Sequence, residues 1–197
     1  MESLLVATNN PGKAREFAQL LASLKAALVT PADLGLSMEV AETGQTYAEN
    51  AQRKALAFSQ ASGLIAIGDD SGLEVEALLG APGLYSARYA GPAAGDAGRR
   101  QKLVRELHRV PAPRPGRFVC VVAVAHPVKG VKVFEGACMG EIVLEERGAN
   151  GFGYDPIFYL PQYGRTLAEL PSEVKNQISH RARATQAALP YIRALLI

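Results

Sequence analysis

Three observations predict an α/β fold for this chain. Short apolar runs that read as strands alternate with segments whose apolar residues recur at helical spacing. Turn clusters rich in Asn, Gly and Pro separate the two kinds of segment. The run Phe118 to Ala125 is almost continuously apolar and rich in β-branched residues, as in a central strand covered on both faces. No internal repeat, low-complexity tract or linker breaks the pattern.

Taken in order, Ser3 to Thr8 reads as a strand closed by the turn cluster Asn9-Asn10-Pro11-Gly12. Phe17, Leu20, Leu21 and Leu24 then fall at i, i+3, i+4 and i+7, which predicts a helix. Thr46-x-x-Glu49 is a capping-box signature, and Tyr47, Ala51, Lys54, Ala55 and Phe58 carry a second helix to Gly63. Leu64 to Ile67 reads as a buried strand ending in Gly68-Asp69-Asp70-Ser71-Gly72. After a Gly- and Pro-rich loop from Gly80 to Gly95, Asp96 is placed to cap a helix bearing Leu103, Val104 and Leu107. Lys129 to Glu146 continues as strand, followed by the glycine-rich segment Gly148 to Pro156. The C-terminal part is helical, with Ala184, Ala187, Ala188, Tyr191 and Leu195 on one face.

Composition narrows the class without naming a function. The chain has 197 residues and a formal net charge of +2, with 48% hydrophobic and 20% charged residues. That is enough chain for one domain or two closely packed lobes, and the balance argues against disorder. The longest apolar run, about ten residues, is half of what a membrane-spanning helix needs. Met1-Glu2-Ser3-Leu4 lacks the basic start and apolar stretch of a signal peptide, so a cytoplasmic setting is expected. Two cysteines, Cys120 and Cys138, are too few for a disulfide framework or a cysteine-built zinc site. The pI of 8.6 hints at nucleic acid, but the basic residues are scattered. The densest group, Arg99, Arg100, Lys102 and Arg105, has helical spacing and reads as a solvated face.

Five constellations can carry chemistry. In Thr8-Asn9-Asn10-Pro11-Gly12-Lys13 a strand ends in small polar donors and a helix opens. The helix N-terminus and the Lys13 charge together suit a phosphate. A capping turn with an exposed lysine is the alternative. It is no Walker A loop, because Ala7 and Ala14 stand where a glycine and a Ser or Thr belong. The adjacent carboxylates Asp69 and Asp70 repel one another, which a hard cation such as Mg²⁺ relieves. Equally, one of them could be a general base, or both could simply bond their own turn. Glu42 is a candidate further ligand. Lys54, on an otherwise apolar stripe, either reaches to solvent or faces an anion. Glycines flanking Phe152 in Gly151-Phe152-Gly153-Tyr154-Asp155-Pro156 let a ring project where it could stack on a base or plug the core. Lys175, Ser179, His180 and Arg181 could present several donors to one ligand from one helical turn, or form an ordinary polar face.

Each of these signals is weak alone, but their order is specific. Thr8-Asn9-Asn10-x-x-Lys13, Glu42-Thr43-Gly44, Asn50-Ala51-x-x-Lys54-Ala55 and Asp69-Asp70-Ser71-Gly72-Leu73 are followed by three more segments. These are Ala81-Pro82-Gly83-x-x-Ser86-Ala87-Arg88-Tyr89-Ala90-Gly91, Gly151-Phe152-Gly153-Tyr154-Asp155-Pro156-x-Phe158 and Lys175-Asn176-x-x-Ser179-His180-Arg181. The set, covering almost the whole chain, resembles the inosine/xanthosine triphosphate pyrophosphatase family. The resemblance implies an elongated mixed β-sheet flanked by helices, forming one two-lobed domain over residues 1–197 with an active-site cleft between the lobes. It also implies a Mg²⁺-dependent homodimer that converts ITP, dITP or XTP to the monophosphate and pyrophosphate.

By the same resemblance, Thr8, Asn9, Asn10 and Lys13 would hold the polyphosphate and Lys54 would add charge. Glu42 and Asp70 would serve the metal, Asp70 would also accept the proton, and Ser71 would touch substrate. Phe152, Gly153, Tyr154, Asp155, Lys175, His180 and Arg181 match the nucleoside-binding segments. Ala41 and Val174 depart from it, standing where many relatives carry an acidic residue. Sequence cannot separate the roles of Asp69 and Asp70. A cationic donor such as Arg181 would favour the C6 keto group of a deaminated purine over the amino group of adenine. One unmatched buried hydrogen bond costs about 1–3 kcal/mol, so a second contact or discrimination in the chemical step is also needed. Two other readings are a pyrophosphatase for other modified nucleotides, such as pyrimidines, and a nucleotide-binding module without turnover.

Overall fold

A computed structural model describes residues 2–196. Among these, seven strands form one mixed sheet in the order β2-β1-β3-β4-β5-β6-β7. The strands are β1 (Ser3–Val6), β2 (Ala27–Val29), β3 (Ile65–Val75), β4 (Pro115–His126), β5 (Gly130–Ile142), β6 (Phe158–Leu160) and β7 (Arg165–Thr166). β1 lies parallel to both β2 and β3, whereas β6 is antiparallel to β5 and to β7. The helices are α1 (Pro11–Leu20), α2 (Tyr47–Ser62), α3 (Asp96–Leu107), α4 (Ser172–Ile178) and α5 (His180–Leu195). No described helix is long and apolar enough to cross a membrane. The fold is thus the α/β class read from the sequence, with Phe118 to Ala125 in the fourth of the seven strands.

The chain divides into two compact units, and the division falls inside β3, β4 and β5. The first comprises Met1–Asp70, Cys120–Gly136 and His180–Ile197. Its strands alternate strictly, as period-2 geometry requires. Leu4 and Val6 of β1 pack with Phe17 and Leu21 on one side, together with Ala184, Ala188 and Ile192 of α5. On the other side Leu5, Ala7 and Ala66 meet Phe58 of α2, while Ala51 and Ala55 pack on Val121, Ala123 and Ala125 of β4. Small residues let α2 lie close to β3: a Cβ at Gly68 would sit 2.8 Å from the Ala55 nitrogen. The second unit comprises Ser71–Val119 and Ala137–Ser179. Leu73, Val75, Leu103, Leu107, Ile142 and Leu160 fill its core, with the Phe118 and Phe158 rings 4.5 Å apart between centroids.

Four local expectations are corrected. Gly68-Asp69-Asp70-Ser71-Gly72 does not end a strand: β3 runs through it to Val75, because the acidic side chains find distant partners instead of turning back on their own backbone. Lys175, Ser179, His180 and Arg181 do not share a helical turn. Ser179 is extended (φ −67°, ψ 157°), which ends α4 before α5 begins. On α5 the buried face takes in Ile192, while Ala187 is exposed. Asp96 does not cap α3: Gly95 occupies that place, and the Asp96 carboxylate bonds elsewhere.

Candidate active site

In the first unit the β1–α1 turn is built by its own side chains. Asn10 Oδ1 accepts the Gly12 and Lys13 amides at 2.8 and 3.1 Å, and Thr8 Oγ accepts the Asn10 amide at 3.1 Å. Asn9 is exposed on the same turn. This capping directs Lys13, whose Nζ lies 3.0 Å from Asp69 Oδ2. The same oxygen receives Nε and Nη2 of Arg181 at 3.1 and 2.9 Å, and Nη1 of Arg181 reaches Glu16 at 2.5 Å. Arg181, 1% exposed, is the largest fully buried side chain described. Oδ1 of Asp69, by contrast, is buried without a hydrogen-bond partner.

The neighbouring carboxylate is treated differently. Asp70 Oδ2 accepts from the Asn50 side chain at 2.9 Å, and Asn50 Oδ1 in turn accepts the Gly44 amide at 2.7 Å. Asn50 thereby ties β3 to the loop that carries Glu42. Lys54, one turn along α2, donates to Glu42 at 2.6 Å and to the Asp69 carbonyl at 2.9 Å. Burial alone would raise Asp69, but Lys13, Arg181 and Lys54 overcome it and hold the carboxyl well below the usual range. Burial pushes Asp70 up; the Asn50 bond opposes this and the Glu42 charge adds to it. Burial disfavours the Lys54 ammonium, yet Asp69 and Glu42 hold it charged and raise its pKa.

The second unit holds the aromatic loop. Asp155 Oδ2 accepts the Phe152 amide at 2.9 Å and pairs with Lys175 Nζ at 2.5 Å. That ammonium lies 5.2 Å from the centroid of the Phe152 ring. Gly151 has φ +77°, and a Cβ there would fall 2.0 Å from Asp155 Oδ2, so only glycine fits. The Tyr154 hydroxyl donates to the Ser86 carbonyl at 2.9 Å. Ser71, half-buried, follows Asp70 along β3.

The structure therefore gathers Thr8, Asn10, Lys13, Glu42, Lys54, Asp69, Asp70 and Arg181 in the first unit, where the buried His180 opens α5. Phe152 to Asp155 and Lys175 belong to the second. Glu16 and Asn50 received no role from sequence. Their signals were spacing alone: Glu16 stands three residues after Lys13, and Asn50 four before Lys54 on the buried stripe of α2. The solvated-face reading holds for Arg105 only. Arg99 pairs with Asp96, Arg100 with Glu146, and Lys102 bonds the Tyr89 carbonyl.

No group of three or more His, Cys, Asp and Glu side chains able to hold a metal assembles among the described residues. The oxygen pair Asp70 and Glu42 nonetheless fits a hard divalent cation of the kind held by one or two carboxylates plus substrate phosphates. Burial first, and then the Glu42 charge, raise the Asp70 pKa, and Asp69 adds a buried, unbonded oxygen next to Asp70 on β3.

Comparison with known proteins gives a consistent picture. The model of the Ham1 family matches residues 4–191. A dITP/XTP pyrophosphatase of Desulforamulus reducens is 47% identical over 195 residues, covering 98% of this chain and 97% of that protein. One from Geobacillus kaustophilus is 51% identical over 185 residues, covering 93% of this chain and 91% of that protein. The solved HAM1 protein of Coxiella burnetii superimposes with a TM-score of 0.85 at 39% identity, covering 100% of this chain and 98% of the other. The Staphylococcus aureus Ham1 protein gives 0.83 at 40% identity, covering 99% and 98%.

Proposed function

This chain belongs to the Ham1 family, and on that premise we propose that it hydrolyses deaminated purine nucleoside triphosphates, dITP, ITP and XTP, to the monophosphate and pyrophosphate. One observation carries the reading. Two adjacent carboxylates on β3 have different partners, Asp69 being caged by Lys13 and Arg181 and Asp70 accepting from Asn50, beside lysines suited to phosphate.

Asp70 orients the attacking water and takes its proton. Lys13 and Lys54, with the α1 N-terminus, neutralise charge on the polyphosphate as pyrophosphate departs. Mg²⁺, held by Asp70 and Glu42, would withdraw charge from the phosphate oxygens. Asn50 keeps Asp70 and the Glu42 loop in register. Phe152 offers its ring to the base, with Asp155 and Lys175 fixing the loop. Arg181 serves first to hold Asp69; a second role, at the C6 keto group, is tested by the ratio of kcat/KM for ITP and ATP in Arg181→Ala, which must fall if that role holds. A cytoplasmic homodimer is part of the same proposal.

The deciding experiment is pyrophosphate release with Mg²⁺ across dITP, ITP, XTP, GTP, ATP, dUTP and dTTP. Selective turnover of the first three supports the proposal. Preference for dUTP or dTTP, or binding without release, overturns it.

A further inference from the structure

We propose that α3 clamps the aromatic loop: Asp96 and Arg100, one turn apart, hold both backbone groups of Gly153 and act as positioning residues for the base end of the substrate. The inference rests on the function proposed above, in which Phe152 stacks on the base.

The Gly153 amide donates to Asp96 Oδ2 at 2.7 Å, and Arg100 Nη1 donates to the Gly153 carbonyl at 2.9 Å. Residues at i and i+4 face the same side of a helix, so one surface of α3 reaches both groups of one glycine. Neither side chain does what its position would ordinarily ask. Asp96 sits in the first turn of α3 but leaves the cap to Gly95, pairing instead with the Gly153 amide and with Arg99 at 3.0 Å. Arg100 is pinned on its far side by Glu146 at 2.9 Å, and its Nε is buried without a partner. A buried donor without a partner is costly, and the guanidinium accepts that loss to reach Gly153 and Glu146.

Gly153 needs such holding. Its φ is +63°, and a glycine has many other conformations to visit. Its neighbours are fixed within the loop or by core groups, Phe152 through Asp155 and Tyr154 through the Ser86 carbonyl. Gly153 is fixed by charge-assisted bonds from a helix more than fifty residues earlier in the chain. If the clamp is released, the loop spends only a fraction of its time in the base-accepting geometry. Apparent affinity falls by that fraction, while residues acting on the phosphates are untouched.

Asp96→Ala and Arg100→Met should each raise KM for dITP about tenfold with kcat within about twofold, the size expected for one lost charge-assisted bond. Asp96→Asn and Arg100→Lys, which keep an acceptor and a cation, should recover most of the loss. Inorganic tripolyphosphate, which has no base, should inhibit parent and variants alike. Independently of turnover, Gly153 amide hydrogen exchange should accelerate about tenfold in Asp96→Ala, while Leu103 and Leu107 amides in α3 stay protected. Unchanged Gly153 exchange overturns the clamp. Faster exchange with unchanged KM, or KM and tripolyphosphate inhibition weakening together, overturns the positioning role. A parent protein that does not hydrolyse dITP fails the proposed function, whereas the exchange measurement still decides the clamp.

Discussion

In the first unit, Lys13, Lys54 and Arg181 pair with Glu16, Glu42 and Asp69, Asp70 accepts from the neutral Asn50, and one Asp69 oxygen is left without a hydrogen bond. In the second unit, Asp155 pairs with Lys175, and the same Asp155 oxygen fastens the Phe152 amide. The first cluster brings cations and carboxylates of several elements together around β3, as the proposed phosphate and metal chemistry requires. The second uses its charges to fix a shape. Buried ion pairs thus differ here: one set links several elements around adjacent carboxylates, the other fixes the shape of a single loop.

The sharpest way to break this comparison is at Asp70. Asp70→Asn should lower kcat about 10²–10⁴-fold, the range for loss of a positioned base, with an unchanged circular dichroism spectrum. Near-parental turnover would sink the assignment. Next in size are stability losses. Asp69→Asn leaves Lys13 and Arg181 facing a neutral group, and Lys175→Met takes the ammonium from the buried Asp155 carboxylate; urea unfolding should register about 3–5 kcal/mol for each. The comparison is sharpened by the double variant Asp155→Asn/Lys175→Met, which should recover much of the loss, since a matched pair can be exchanged for neutral groups.

Smaller is the pH dependence in metal-free buffer, where the neighbouring carboxylates should behave oppositely. Asp69 is lowered in the fold, so its contribution is present above the unfolded carboxylate range near pH 4 and lost only as pH falls through the lower folded value. The deficit of Asp69→Asn should therefore persist at pH 5. Asp70 is raised, so its charged form opposes folding at neutral pH and acidification relieves it. Asp70→Asn should be stabilised relative to parent at pH 8, with the advantage shrinking as pH falls. The same sign for both variants would refute the contrast. Smallest is thiol reactivity. Cys120 is fully buried, and burial pushes its thiol up to about 12, so it should resist thiol reagents at pH 8 until the protein is unfolded.

Much of this was legible in the sequence because it is local. The strand–turn–helix at residues 3–20, the Thr46 cap and the apolar strand around Val122 are dictated by periodicity and capping chemistry within a few residues. What stayed hidden depends on partners far along the chain. Periodicity reads Asp69 and Asp70 as a strand end, since their partners are not nearby; the guanidinium on Asp69 lies 112 residues on, and the amide on Asp70 lies 20 residues back. Arg100 looks solvated on a helical wheel, because the carbonyl it grips is 53 residues away. The break at Ser179 had no glycine or proline to announce it.

The 112-residue span between Asp69 and Arg181 has a further consequence during synthesis. At about 5–20 residues per second, Arg181 leaves the ribosome roughly 6–22 s after Asp69. Throughout that interval the apolar face of β1 and α1 lacks Ala184, Ala188 and Ile192, and the Asp69 carboxylate lacks its guanidinium. The charged cluster of the first unit therefore cannot mature vectorially. It closes only when α5 docks, so a nascent chain stalled before residue 180 would present an exposed apolar surface to chaperones.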